Sequence, residues 1–262
     1  MLAKLLKHEF KATARIFLPL YLILLIFGLI NRIFNVFDIF GDSISFNMQS
    51  TLSVISSIIY FTLIVAIIVM TLVIMIQRFY KNLLGDEGYL MFTLPVKPWQ
   101  HIVSKLIISM LWSGLSLIVI ISSIAILIGI KDTLAALSRG INFFIESLGY
   151  TGLLTACSYA ILMFILYVLM IYSAISLGHL FPKYKLLASF GMYSVLYIIN
   201  QVVTTVVLLT FGNKALANII SNSPTPSQII NFIQSLLPVP ILLIVGNFLL
   251  TKFILEKHLN LE

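Results

Sequence analysis

Long apolar runs separated by short polar stretches dominate this chain. A helix needs about 20 mainly apolar residues to cross the hydrocarbon core of a bilayer. Six segments meet that requirement, at residues 14–34, 52–77, 106–130, 150–180, 187–211 and 236–255. The runs lack the alternation of polar and apolar positions that marks a membrane β-barrel. The pattern therefore predicts an all-α membrane protein with six transmembrane helices.

Residues 1–15 differ from these runs because they are amphipathic. On a helix of about 3.6 residues per turn, one stripe carries cations. These cations are Lys4, Lys7, Lys11 and Arg15. The broadly opposite side carries Leu2, Leu5, Leu6 and Phe10. We predict an N-terminal interfacial helix that rests on lipid headgroups. Glu9 projects on its apolar side, either to reach the interface or to meet a cation on the neighbouring cytoplasmic loop.

Composition and charge agree with a membrane location. Hydrophobic residues make up 60% of the chain and charged residues 10%, against about 45–50% and 25% in soluble domains. If the N-terminus is inside, only four cations lie outside, at Arg32, Lys131, Arg139 and Lys214. The other 12 of the 16 Lys and Arg residues are cytoplasmic, as the positive-inside rule requires. We predict one transmembrane domain, 1–262, in the cytoplasmic (inner) membrane, with both termini cytoplasmic and no nucleic-acid partner.

The longest cytoplasmic connection, residues 78–105, contains an unusual apolar segment. Gly85 and Gly88 indicate a turn. Residues 89–94 are predicted to form a short apolar helix that ends at Pro95. Pro98 then opens the third spanning helix, a position that proline favours. An exposed apolar helix between two spans needs a cover, either lipid or a docking partner.

The external connection 212–235 carries a second such segment. Residues 221–227 are rich in Ser and Pro and indicate a turn. Residues 228–233 form a short helix that is too apolar for free solvent. It is either a surface loop or an element covered by the rest of the protein.

The cytoplasmic connection resembles a known family. Gly88 to Val96, followed by Trp99-Gln100 and Ser104-Lys105-Leu106, is similar to the permease subunits of ATP-binding-cassette (ABC) exporters of the second type. The chain departs from the family at Lys97-Pro98, where many members have Ser-Arg. The layout is similar along the whole chain, from the interfacial helix through six spans to the large external connection before the last span.

This resemblance implies partners and an energy source. In such proteins the loop between spans two and three carries a coupling helix that docks on the ATPase. The corresponding residues here are Asp86, Glu87, Tyr89, Leu90, Met91, Phe92, Leu94 and Pro95. Two ATPase subunits would hold ATP and Mg²⁺, and a second permease subunit, identical or homologous, would complete the pathway. Residues 212–235 would form a half-inserted hairpin that caps its exit.

Uncharged polar residues inside the spans are candidates for the pathway. They are Thr62 and Thr71 in the second span and Asn200, Gln201, Thr204 and Thr205 in the fifth, with Asn247 in the sixth. Most such residues join helices through hydrogen bonds, which is the alternative interpretation. In the family, spans two and five line the pathway. With a remaining lining of Ile, Val and Leu, we expect an apolar or amphipathic cargo such as a peptide antibiotic, a lipid or a drug.

Missing chemistry narrows the function further. The sequence has no Gly-x-x-x-x-Gly-Lys-Ser/Thr phosphate loop and a single cysteine, Cys157. Its charged residues lie in loops, tails or terminal turns of spans, whereas ion-coupled transporters bury at least one. We therefore expect no catalytic activity, metal or cofactor in this chain, and ATP hydrolysis in a separate subunit. The alternatives are an ATP-independent scaffold or sensor subunit and an intramembrane enzyme.

Overall fold

Helices account for nearly all of the described chain. A computed structural model describes residues 2–33, 48–84, 97–181, 183–211 and 225–257. Within these ranges there is no β-strand, and the α-helices are α1 (Leu2–Ile33), α2 (Met48–Phe79), α3 (Pro98–Ile128), α4 (Ile130–Gly178), α5 (Lys185–Phe211), α6 (Pro226–Leu236) and α7 (Pro238–Lys257). A π-helical turn, Tyr80–Leu84, continues α2. The predicted all-α class is confirmed.

Six helical stretches of the described chain are long and apolar enough to cross a bilayer. They are Lys4–Ile33, Val54–Phe79, Pro98–Ile128, Ile130–Gly178, Lys185–Thr210 and Pro226–Lys257. Each predicted span corresponds to one of them, and the chain is therefore a multi-pass membrane protein. The third begins at Pro98, as the preference of proline for the first helical turn predicts.

Helix α1 runs without a break through the predicted interfacial helix and the first span. Its buried residues recur every three or four positions, at Glu9, Thr13, Phe17, Tyr21, Leu24, Gly28 and Asn31. The four cations of its first half are exposed, in agreement with the predicted amphipathic pattern. Glu9 is only 4% exposed. Because a buried carboxylate needs a partner, this burial favours a paired Glu9 over one that reaches the interface.

The described helices pack as two compact units. The first comprises Met1–Met75 and Ile107–Arg139, and the second comprises Ile76–Leu106 and Gly140–Glu262. The first unit thus holds α1 and most of α2 and α3, and the second holds most of α4 with α5, α6 and α7. The expectation of a single domain stays a prediction.

In the first unit, hydroxyl groups join the three helices within their apolar core. The Ser116 hydroxyl of α3 lies 2.7 Å from the Tyr21 hydroxyl of α1 and 3.2 Å from the Thr71 hydroxyl of α2. Farther along, the hydroxyls of Tyr60 and Ser123 lie 2.9 Å apart. Interhelical hydrogen bonds of this kind contribute on average about 0.6 kcal/mol each in membranes. Their sum fixes the register of the three helices.

Two further contacts close the same unit at the other end of α1. Ser56 donates a 2.8 Å hydrogen bond to Oδ1 of Asn31. The Arg32 guanidinium donates a 2.7 Å hydrogen bond to the carbonyl of Ile126. That carbonyl lies in the last turn of α3, where no later amide of the helix can reach it. Arg32 therefore satisfies an orphan acceptor and places a cation at the negative end of a helix dipole.

Trp112 anchors the first half of α1. Its ring stacks on Phe17, with centroids 4.4 Å apart, and on Phe10, at 5.1 Å. Its indole N–H donates a 2.7 Å hydrogen bond to the Thr13 hydroxyl. Stacked aromatic pairs of this kind contribute about 0.5–1.5 kcal/mol beyond their buried area. This cluster packs the first half of α1 against α3.

Two glycines with positive φ isolate the first part of α4. Gly129 has φ 120° and lies just before the helix. Gly149, inside it, has φ 72° and ψ 174°, a conformation that is essentially restricted to glycine. Residues 130–148 therefore form a helix of their own, distinct from the apolar span at 150–178. The sequence analysis placed this stretch outside the membrane but did not predict its helix.

In the second unit, α4 and α5 approach so closely that only glycine fits between them. A Cβ added to Gly178 would lie 2.5 Å from the backbone nitrogen of Ser189. Small residues such as Gly178 permit this close packing where lipid offers no hydrophobic driving force between helices. Elsewhere in the same unit, the rings of Phe79 and Tyr172 stack with centroids 4.1 Å apart.

We predict that Gly178→Ala destabilises the protein by about 1–3 kcal/mol, because the added methyl group forces the two helix backbones apart. Gly191→Ala is the matched control on α5, since nothing lies within 4 Å of its added Cβ. It should be neutral or stabilising by up to about 1 kcal/mol through helix propensity. Unfolding in mixed detergent micelles measures both. Equal effects of the two substitutions would contradict the close approach.

Candidate functional site

Of the two predicted sites, only the pathway residues lie within the described part of the chain. All the predicted coupling-helix residues, from Asp86 to Pro95, lie within 85–96, outside the described residues. Their docking role stays a prediction. The predicted pathway residues are described in full, and three of them come together at one cavity in the second unit.

This cavity has a volume of about 250 Å³ and lies among α4, α5 and the junction of α6 with α7. Asn200, Gln201 and Thr204 of α5 contribute its amide and hydroxyl groups. The other lining residues are Tyr159, Met163, Leu166, Tyr167, Met170, Tyr197, Leu236, Val239, Pro240 and Leu243. Its volume is slightly below the roughly 300–1,000 Å³ of typical ligand sites. It is an apolar groove with one polar edge.

The polar edge is only partly satisfied within the protein. Thr204 donates a 2.8 Å hydrogen bond to the carbonyl of Asn200, one turn earlier. The Asn200 amide donates to the sulfur of Met170 at 3.2 Å, and a thioether is a weak acceptor. Among the described residues, no hydrogen bond involves the side-chain amide of Gln201, which is exposed near the middle of α5. An amide without a partner at this depth calls for a ligand or water.

Aromatic and sulfur-containing side chains form much of the remaining lining. Tyr159, Tyr167 and Tyr197 contribute three rings, and Met163 and Met170 contribute two thioethers. The sequence analysis expected mainly Ile, Val and Leu. The observed set is more adaptable, because methionine is flexible and polarisable and tyrosine presents both an apolar ring and a hydroxyl.

Helix α6 forms one wall of the cavity through its junction with α7. The predicted short helix at 228–233 lies within α6, which begins at Pro226. Gln234 of α6 donates a 3.4 Å hydrogen bond to the Thr155 hydroxyl of α4. Ile230 is buried, and its side chain lies beside Gly152. The helical half of the predicted hairpin is therefore packed on α4, while residues 212–224 lie outside the described residues.

The other predicted pathway residues lie elsewhere. Thr205 is exposed, does not line the cavity, and donates to the carbonyl of Gln201. Thr62 is exposed and donates to the carbonyl of Ile58. Thr71 is buried and bonded as described above. For these three threonines, a role in a pathway stays a prediction.

Both polar atoms of the Asn247 side-chain amide have hydrogen-bond partners. It is buried, accepts a 2.9 Å hydrogen bond from Ser173 of α4, and donates at 2.8 Å to the carbonyl of Leu243. The bond from Ser173 joins α4 to α7, and the bond to Leu243 lies within α7. The role of Asn247 as a structural link between helices sets it apart from Gln201.

The turn between α4 and α5 holds His179 in a cationic setting. Its Nε2 lies 3.4 Å from Nζ of Lys185, and its ring meets the Tyr80 ring edge-on, with centroids 5.8 Å apart. Burial, followed by the charge of Lys185, lowers the pKa of His179 below its usual value. This shift favours the neutral form of the imidazole. The described residues contain no group of three His, Cys, Asp or Glu side chains suited to hold a metal ion.

No protein-family profile, curated protein or solved structure matches this chain. Its function must therefore be inferred from its own residues and their geometry.

We predict opposite effects of removing the two amides. Gln201→Leu should be neutral or stabilising, because it removes an amide that has no partner within the described protein. Asn247→Leu should cost about 0.6–1.7 kcal/mol, because it leaves the Ser173 hydroxyl without its interhelical acceptor. Unfolding of both variants in the same detergent measures the difference. A loss at Gln201 as large as that at Asn247 would mean that Gln201 also joins helices.

Proposed function

We propose that this chain is the membrane-spanning permease subunit of an ATP-driven exporter of hydrophobic or amphipathic compounds. Two permease subunits, identical or homologous, enclose the pathway, and two separate ATPase subunits dock on their cytoplasmic loops. ATP binding closes the ATPase pair, and the coupling helices transmit that closure to the spans. The pathway then opens to the other side of the membrane.

The observation that carries this proposal is the cavity at the middle of α5. Its unpaired Gln201 amide and weakly bonded Asn200 amide face a space lined by tyrosine, methionine and leucine. An amphipathic cargo matches this lining, since its apolar part replaces lipid and its polar part bonds the amides. Deep, unpaired polar groups are costly in a membrane protein unless a substrate or water uses them.

The lack of charged residues in the cavity lining favours an energy source outside the bilayer. No Asp, Glu, Lys or Arg is among its lining residues. Ion-coupled transporters use such residues to bind the coupling ion or to relay protons. An intramembrane hydrolase would need a nucleophile with an adjacent base, and the lining offers no carboxylate or imidazole. A separate ATPase that transmits its closure through a cytoplasmic loop is compatible with this uncharged site.

The distribution of cations supports the orientation on which the proposal depends. With the N-terminus inside, the loop at 78–105 and both termini face the cytoplasm, where the ATPase and ATP are found. The exposed cations of α1 then face the inner leaflet, and α6 lies on the external side. The proposed location is the cytoplasmic membrane.

The coupling loop offers the most discriminating test. We predict that Tyr89→Ala combined with Phe92→Ala releases the ATPase or uncouples ATP hydrolysis from transport, because buried aromatic anchors dominate such interfaces. ATPase activity that co-purifies with the permease, and ATP-driven efflux of an amphipathic dye in inside-out vesicles, are the two measurements. The double variant should lose most of the efflux, at least about tenfold if each ring contributes about 1 kcal/mol or more.

The matched control is Asp86→Asn, which changes a charge at the rim of the same loop and should have a much smaller effect. Wild-type ATPase association and efflux in the double variant would contradict coupling through this loop. ATPase association without any ATP-dependent efflux in the wild type would favour the scaffold or sensor alternative instead.

A further inference from the structure

The helix at 130–148 lies between two membrane spans but is not itself apolar enough to cross a bilayer. It carries Lys131, Asp132, Arg139 and Glu146. Gly129 and Gly149 break the helical path on either side of it through their positive φ angles. Such breaks allow the helix to take a direction different from those of α3 and of the span at 150–178.

Its side chains divide sharply between two faces. At about 100° per residue, six large apolar residues fall within an arc about 100° wide. They are Leu134, Leu137, Ile141, Phe144, Ile145 and Leu148. The four charged residues all fall outside that arc, and Arg139 and Glu146 lie nearly opposite its centre. Phe143 is the only large apolar residue between 131 and 148 that lies on the charged side.

The described residues leave the first half of the apolar face uncovered, whereas Phe144, Ile145 and Leu148 in its second half are partly buried. Leu134 is 60% exposed, Leu137 42% and Ile141 48%. A row of exposed large apolar residues along a helix is unfavourable in water and requires a cover. Because α3 and the span at 150–178 both cross the membrane, the helix that joins them begins and ends at the same membrane surface. The nearest apolar medium is therefore the lipid itself.

We propose that residues 130–148 form an in-plane membrane anchor, with the apolar face inserted among the lipid chains and the charged face toward water. Such helices bury their apolar side about 5–10 Å below the headgroup boundary. Two cations and two carboxylates cancel on the polar face, so the anchor binds through apolar burial rather than through anionic headgroups. In this respect it differs from α1, whose first half carries four exposed cations.

The test compares two positions at the same level of the helix. In a Cys157→Ser background, Leu137→Cys and Arg139→Cys place a single thiol on the apolar and on the charged face. Each is labelled with a small fluorophore, and the full chain is reconstituted into phosphatidylcholine vesicles with brominated acyl chains. We expect lipid bromine to quench the label at position 137 severalfold more than the label at 139. Aqueous iodide should show the reverse order.

Each outcome decides the proposal. Equal iodide quenching at both positions, without bromine quenching, would mean that the helix stands in water and would overturn it. Protection of position 137 from both quenchers would mean that protein covers the face, which also overturns it. Replacing part of the phosphatidylcholine with phosphatidylglycerol should leave the pattern unchanged. Lipid contact that requires the anionic lipid would contradict anchoring through apolar burial. An Ile141→Cys label repeats the measurement in case Leu137→Cys disturbs folding.

Discussion

A polar group inside a bilayer needs a partner from the protein, a ligand or water, because lipid chains offer none. This constraint makes each span a helix, whose backbone groups bond to one another. It also explains the bonds between Tyr21 and Ser116 and between Asn247 and Ser173, which join helices where apolar packing alone gives little net attraction. The close approach at Gly178 also joins two helices, but through direct van der Waals contact rather than a hydrogen bond.

The same constraint separates structural from functional candidates. Thr71 and Asn247 are buried and hydrogen-bonded to neighbouring helices, so contacts between helices explain their polarity. Gln201 is exposed and lacks a hydrogen bond within the described residues, so packing does not explain it. A groove that combines such an amide with tyrosine and methionine side chains is suited to a mobile cargo rather than to a permanent contact between helices. The proposed export function uses this difference.

Sequence reasoning found the features that depend on one helix at a time. The apolar runs gave six spans, Pro98 marked the start of α3, and the cation stripe of α1 is exposed as expected. It did not find features that depend on which helices meet, such as the pairing of Asn247 with Ser173. It also missed the helix at 130–148, although Leu134, Leu137 and Ile141 already show helical spacing. Four charged residues interrupt its apolar positions, so only the helical spacing of those positions indicates the helix.

The central claim is that the Gln201 face of α5 lines a water-accessible path for cargo. Substituted-cysteine accessibility tests it most directly, with Gln201→Cys and Ile199→Cys compared in membranes after Cys157→Ser. Ile199 is exposed at nearly the same depth but does not line the cavity. We expect a small water-soluble thiol reagent to modify Cys at 201 much faster than Cys at 199, and an amphipathic cargo to slow the reaction at 201. Equal, negligible reactivity at both positions would show that lipid surrounds Gln201 and would contradict the account.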